Sequence, residues 1–315
     1  MYWLLVSETF ISFYDYNKSG STIQHLYQNV FNEFKFPLPP LEEQTQIANY
    51  LNQKTTELDT LIANKEQLIK LLEEERTAMI NQAVTKGLDP NVPMKDSGID
   101  WLGEIPEHWT FSKMKFICDF ILDGTHGTHQ RVDEGYRLLS VRNIINGEFK
   151  FRDDDSRVAV ADYEAISSRF KIQSNDIQLA IVGATLGKVA LINEITEDFV
   201  TQRSLATIRT LDSICNAYFL FFYIKSVSFQ SYLWLNTGFS AQPGVYLGTL
   251  NNCSVPLPSL LEQNEIVNYI KNNEKRLDNL LDMASQEINL LKEYKTALIG
   301  EVVTGKVDVR QEVVN

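Results

Sequence analysis

Five side chains in the middle of this sequence carry the groups best suited to reading a hydrogen-bonding surface: Arg142, Asn143, Lys188, Gln202 and Arg203. Guanidinium, ammonium and amide groups can pair with guanine or adenine edges, and these five stand on glycine-bounded turns or at the ends of expected strands. Gly183-Ala-Thr-Leu-Gly187-Lys188 approaches a phosphate loop, but three residues separate its glycines and Val189 follows the lysine. A P-loop needs four residues there and a hydroxyl after the lysine, so a glycine turn that holds Lys188 is expected instead. His126 and His129 are spaced like a pair of metal ligands, yet no third ligand is fixed by sequence and no metal is assigned. Asp153-Asp154-Asp155 is expected to be an acidic, solvated turn. No nucleophile elbow, HExxH, dinucleotide fingerprint or Asn-Pro-Pro-aromatic motif occurs, so no catalytic residue is assigned. Recognition, not catalysis, is the expected chemistry.

The elements that position these residues are organised around residues 41–84. Ile47, Leu51, Leu58, Leu61, Ile62, Leu68, Ile69, Leu72, Met79 and Ala83 recur at spacings of three, four and seven, the period of one helix face. Such a helix spans roughly 60 Å at 1.5 Å per residue and needs a long partner to cover its stripe. The chain supplies one. Shifted by 219 places, Phe36-Pro-Leu-Pro-Pro-Leu-Glu-Glu-Gln44 falls on Val255-Pro-Leu-Pro-Ser-Leu-Leu-Glu-Gln263, and the match continues through residues 260–303. This is an internal repeat. In the second copy Ile270, Leu277, Ala284, Leu291 and Leu298 form an apolar heptad series, whereas Lys65 interrupts the first copy's series. An antiparallel coiled-coil pair is expected, with Leu51, Leu58, Leu72, Met79, Ile270, Leu277, Leu291 and Leu298 in its seam. Ser259 and Glu262 have the spacing of a capping box, and Gly87 and Gly305 are placed to end the helices.

The repeat reaches back to the N-terminus, where Tyr2, Trp3, Ser7, Phe10, Phe13 and Ser21 fall on Phe221, Phe222, Ser226, Phe229, Tyr232 and Ser240. The counterpart of Trp101 would lie well before Met1, so most of a first domain is expected to be missing. Residues 101–254 change to short β-type runs, with the best strands at 136–141, 177–182, 188–192 and 205–209, one helix at 216–234 and a glycine-rich loop at 237–252. The expected fold class is α+β: one mixed, β-rich domain plus two long antiparallel coiled-coil helices. The expected divisions are a remnant at 1–35, helix and linker at 36–95, the mixed domain at 96–254, and the second helix and tail at 255–315.

At 315 residues and 44% apolar content the chain can build two ordinary domains or one domain with an extended element. The apolar run at Met1 lacks a basic start and a cleavage site, and the run at 218–224 is too short to span a bilayer. No membrane role is expected. Three cysteines without a CxxC unit argue against a zinc site or a disulfide scaffold and fit the cytoplasm. The net charge of −12 divides as −1 for residues 1–39, −4 for 40–89, −1 for 90–100, −3 for 101–254 and −3 for 255–315. With no basic segment, any nucleic-acid role needs a local patch of cations or a basic partner.

Several stretches together resemble the specificity subunit of type I restriction-modification systems. They are Ser97-Gly-Ile-Asp-Trp-Leu-Gly-Glu-Ile-Pro-Glu-His-Trp109, Asp123-Gly-Thr-His126, Leu139-Ser-Val-Arg-Asn-Ile144, Ile181-Val-Gly-Ala-Thr-Leu-Gly-Lys188 and the two Pro-Leu-Pro…Glu-Gln helix starts. The resemblance implies a target-recognition domain that reads half of a split site on double-stranded DNA, with spacer helices that dock methyltransferase (modification) subunits. It implies restriction/translocase subunits as further partners, with a second copy of the chain as another candidate. No cofactor is implied in this chain; S-adenosylmethionine, ATP and Mg belong to the partner subunits. A full subunit resembles domain, helix, domain, helix, whereas this sequence has stub, helix, domain, helix. That leaves a truncated product and a half-subunit both open. The acidic runs Glu73-Glu-Glu75 and Asp278 are candidate docking faces. The rival reading is a coiled-coil adaptor whose mixed domain binds protein, and cations gathered in one cleft would separate the two.

Overall fold

The computed structural model describes residues 1–20, 24–238 and 243–312. Ser21, Ser240 and part of the expected 237–252 loop lie outside the described residues. Contacts divide the chain into two units, Met1–Glu74 with Arg276–Asn315, and Glu75–Lys275. The long helices are Leu41–Lys86 and Leu260–Val303, and each contributes to both units. Gly87 and Gly305 follow them, each with φ +76°, the left-handed conformation that a side chain disfavours. At the second helix Lys306 N–H donates to Glu301 O (2.9 Å) and Gly305 N–H to Val302 O (3.2 Å), the paired bonds of a Schellman stop.

In the first unit the helices run antiparallel. Asp59 accepts from Lys295 at 2.6 Å, Glu66 lies 3.8 Å from Lys292, and Lys65 pairs with Glu287. The ammonium that interrupts the apolar series is therefore matched by a carboxylate across the seam. Leu51 clusters with Leu298, Ile299 and Val302, Leu72 and Leu277 are buried, and Leu58 and Leu291 are half-buried. Leu61 and Leu68 are exposed, a correction to the expected stripe, whereas Ile62 is buried as expected and Thr55, outside that stripe, is buried with it. Thr55 satisfies its buried hydroxyl by donating to Leu51 O at 2.6 Å.

The second unit holds the mixed domain, where the last turns of the first long helix meet the start of the second. Ile80, Ala83 and Val84 share a core with Ile266, Val267 and Ile270, and half-buried Met79 packs against it. Its largest sheet has six strands in the order Cys118–Asp123, Leu205–Thr210, Ile177–Ala180, Val189–Leu191, Glu148–Phe149 and Ile144–Ile145. Neighbours are antiparallel except Leu191 against Glu148. Ile177–Ala180 is buried at every residue, and its one amide, Gln178 Nε2, donates to Thr207 Oγ1 on the adjacent strand at 3.0 Å. A smaller sheet places Tyr136–Leu139 between Phe199–Thr201 and Arg157–Val158. Ser254–Leu257 pairs with Thr110–Lys113, and Met94–Asp96 with Glu104–Pro106.

The helix expected at 216–234 is two helices, Ala217–Lys225 and Val227–Leu235. Ser226 breaks it: its backbone is extended (ψ 152°) and its hydroxyl accepts from Phe229 N–H at 3.3 Å, capping the second piece. The expected capping box at the second long helix is half formed. Glu262 N–H donates to Ser259 Oγ at 3.3 Å, but the Glu262 carboxylate accepts from Trp109 Nε1 at 2.9 Å and faces His108 Nε2 at 3.0 Å. Trp109 is fully buried, and its indole N–H takes the acceptor that the helix start would have used.

Candidate nucleic-acid interface

Strand Cys118–Asp123 runs into Gly124 and Thr125, which cross directly over the end of strand Phe199–Thr201. Thr125 N–H donates to Thr201 O (2.8 Å) and Arg203 N–H donates to Thr125 O (3.1 Å). A Cβ at Gly124 would lie 2.2 Å from Thr201 O, so only glycine allows this crossing. Gln202 N–H donates to Leu139 O at 2.9 Å, and Ile181 N–H to Ser204 O at 2.9 Å. The chain segments of three sequence motifs thus meet around Gln202 and Arg203.

Beside them opens a groove of about 860 Å³ lined by Asp123, His126, Ile181, Val182, Arg203, Ser204 and residues 244–248. The exposed Arg203 guanidinium has no hydrogen-bond or ion-pair partner among the described residues, and neither has exposed Lys188. Lys188 ends the Gly183–Lys188 turn, whose glycines adopt φ +90° and +88°. The turn is braced by Gln230 Nε2, which donates to Gly187 O at 3.0 Å, and by Gly183 N–H, which donates to Pro243 O at 2.8 Å. Several other cations of this unit are paired, among them Arg137 with Glu197, Arg152 with Asp154, Arg169 with Asp123, Arg209 with Asp176 and Lys225 with Glu274. Arg209 is a structural tie, held charged first by its hydrogen bonds to buried Asp176 and lying 4.7 Å from the Phe120 ring centre.

The other two candidates belong elsewhere. Asn143 is fully buried and cannot reach a base: its Oδ1 accepts from Ser140 N–H (3.0 Å), and its Nδ2 donates to Lys150 O and Asp155 Oδ1, both at 2.9 Å. This corrects its assignment as a reader. Arg142 is partly exposed but is tied to Asp154 at 3.0 Å and Asp155 at 3.1 Å. The acidic run is accordingly no plain solvated turn. Asp155 is buried and also accepts from Arg137 NH1 (3.3 Å) and Arg152 N–H (2.8 Å), so one carboxylate gathers the loops that follow two strands. Gln202 is half-buried beside the groove.

Asp123 and His126, which sequence reasoning did not assign as readers, line the groove. His126 is largely exposed with Nε2 2.5 Å from Asp123 Oδ2, and Asp123 also accepts from Arg169 NH1 at 3.3 Å. The His129 ring bridges Thr125 Oγ1 (2.7 Å) and Asp162 Oδ1 (3.0 Å), which fixes the loop against helix Val160–Ser167. The Asp123-Gly-Thr-His126 motif was the signal that could have found them.

A family model described as the type I restriction modification DNA specificity domain matches residues 1–73 and 106–292. The chain is 28% identical over 303 residues to the type I restriction enzyme MjaVIII specificity subunit of Methanocaldococcus jannaschii, covering 95% of this chain and 68% of that protein. It is 29% identical over 286 residues to the EcoBI specificity subunit of Escherichia coli, covering 86% of this chain and 60% of that one. Among solved structures, a chain of a type I R-M system superposes with a TM-score of 0.75 at 17% identity, covering 97% of this chain and 70% of that one. The HsdS subunit from Thermoanaerobacter tengcongensis gives 0.57 at 17% identity, covering 96% and 68%. The α+β architecture with paired long helices is the fold these share. With most of its length matched by that model, the chain belongs to the type I restriction-modification DNA specificity domain family.

Proposed function

We propose that this chain is a DNA sequence-recognition subunit, reading half of a bipartite site through the groove beside Arg203. The observation that carries the reading is a free guanidinium at the rim of a groove large enough for base edges, where among the described residues every other arginine from 131 to 209 has a hydrogen-bond or ion-pair partner. An arginine pairs bidentately with guanine O6 and N7, and Lys188 and Gln202 are the next candidates. Arg142 contributes at most a backbone contact, because its guanidinium is already committed to Asp154 and Asp155. The role is non-catalytic. S-adenosylmethionine, ATP and Mg are assigned to methyltransferase and restriction/translocase partners, with the methyltransferase docked on the long helices. Among the described residues no helix is long and apolar enough to cross a membrane, and the cytoplasm is the proposed compartment.

A chain of net charge −12 gains little from counterion release when it approaches a polyanion. Weak binding alone and tight, site-specific binding with methyltransferase subunits are therefore expected. A titration at near-physiological salt, with and without those subunits, tests this. Nanomolar, site-specific binding by the chain alone would overturn the electrostatic argument, and no specific binding in either case would overturn the function.

A further inference from the structure

The turn from Gly183 to Lys188 joins strands Ile177–Ala180 and Val189–Leu191, and its hydrogen-bonding groups are unevenly used. Its carbonyls are largely taken. Gly183 O accepts from Leu186 N–H (3.0 Å), Thr185 O from Lys188 N–H (3.1 Å), Lys188 O from Ala180 N–H (2.7 Å) and Gly187 O from Gln230 Nε2 (3.0 Å). Its donors are left over. Ala184 N–H and Thr185 N–H reach no acceptor among the described residues, the Thr185 hydroxyl makes no hydrogen bond there, and Lys188 has no carboxylate partner. Ala184 and Lys188 are exposed and Thr185 is half-buried, so these groups are open to a ligand.

The turn is fixed in place and stands at the groove. Gly187 adopts φ +88°, and the Gln230 amide that braces it also donates to Ile224 O at 2.9 Å. Ile181 and Val182, immediately before the turn, line the groove beside Arg203. Successive backbone amides in a turn of this kind form a concavity that takes anions. A phosphate oxygen only accepts, so a surface made of donors and one ammonium matches it.

We infer that the Gly183–Lys188 turn seats one backbone phosphate of the DNA that enters the groove, with Ala184 N–H, Thr185 N–H and the Thr185 hydroxyl as donors and Lys188 as the counter-charge. The source is a phosphodiester, because the glycine spacing and Val189 depart from a nucleotide loop. Lys188 thereby holds the duplex in register while Arg203 faces a base edge, and a chain of net charge −12 gains a cation where the polyanion passes. The inference rests on DNA reading through that groove.

The test uses the chain assembled with methyltransferase subunits, a duplex carrying its selected half-site, and anisotropy titrations over a range of salt. Lys188→Ala should weaken binding roughly fivefold at about 0.15 M salt, the effect of one released counterion, and should flatten the slope of log K against log salt by about one. Single-base variants of the site should lose the same factor, and Lys188→Arg should restore the slope. Thr185→Val should weaken all sequences alike with the slope unchanged. A scan of single methylphosphonate substitutions should find one phosphate whose neutralisation weakens the wild-type assembly but not the Lys188→Ala assembly. Binding indifferent to Lys188→Ala, a preference lost at one base pair with the slope intact, or no such coupled phosphate would each overturn the inference and leave DNA reading standing. Competition by inorganic phosphate beyond its ionic-strength effect would point to a free anion and overturn it as well. No specific binding by the wild-type assembly would overturn the reading on which the inference rests, and the inference with it.

Discussion

The indole nitrogen of Trp109 lies 2.9 Å from Glu262 Oε1 although 153 residues separate the two, which ties the start of the second long helix to the mixed domain. Removing the acceptor strands a fully buried donor. Glu262→Ala should cost about 1–3 kcal/mol, the usual desolvation penalty of an orphaned polar group. Glu262→Gln, which keeps a carbonyl at that place, should cost less. Urea unfolding followed by tryptophan fluorescence measures both, and equal losses would argue against the hydrogen bond.

Leu277 is almost completely buried in the helix pair, whereas Leu58 is half-buried. Leu277→Asp forfeits about 1.5–3 kcal/mol of burial and adds the cost of a desolvated charge. Leu58→Asp should do the same with a smaller loss. Thermal melts followed by circular dichroism should show both midpoints lowered, Leu277→Asp more. Unaltered melts in both variants would contradict the packed seam.

Burial, and then the hydrogen bond to Asp198 (2.8 Å), push the Tyr163 hydroxyl up to about 12. Its ordinary value is about 10, so the folded state holds this proton more tightly than the unfolded chain does. The stabilisation is full below about pH 10 and is lost as pH rises towards 12. Tyr163→Phe should flatten that alkaline decline, as read by urea midpoints on either side of pH 10. An unchanged alkaline slope would show that Tyr163 does not drive it.

Arg203 and Asn143 should fail differently. Arg203→Ala leaves the fold intact and relaxes preference at one base pair, by about 1–3 kcal/mol of discrimination. Asn143→Ala removes a buried amide that joins Ser140, Lys150 and Asp155, and it should lower the melting temperature. Competition binding with single-base variants, alongside thermal melts, separates the two outcomes.

These contrasts follow from what a sequence can carry. The long helices, their glycine stops and the repeat were legible because each is written as a local period or a matching string, and strand positions came within a few residues for the same reason. Asn143 was not legible as a buried residue, because its burial depends on Asp155, which reads locally as one more member of an acidic turn. Glu262 read as a capping partner until a tryptophan from far along the chain claimed it. Ser226 hid inside an apolar run, although its alignment with Ser7 was a usable sign of the helix break. Arg203 and Lys188 are legible from residue type and from their place on glycine-bounded turns or strand ends, and only the pairing of their neighbours sets them apart.

Selection of bound duplexes from a randomised DNA pool, using the chain assembled with methyltransferase subunits, tests the central claim most directly. The account predicts enrichment of a defined half-site whose preference at one position disappears when Arg203→Ala is used in the same assembly. Enrichment of no sequence, or an identical motif from the Arg203→Ala assembly, would contradict reading through the groove beside Arg203.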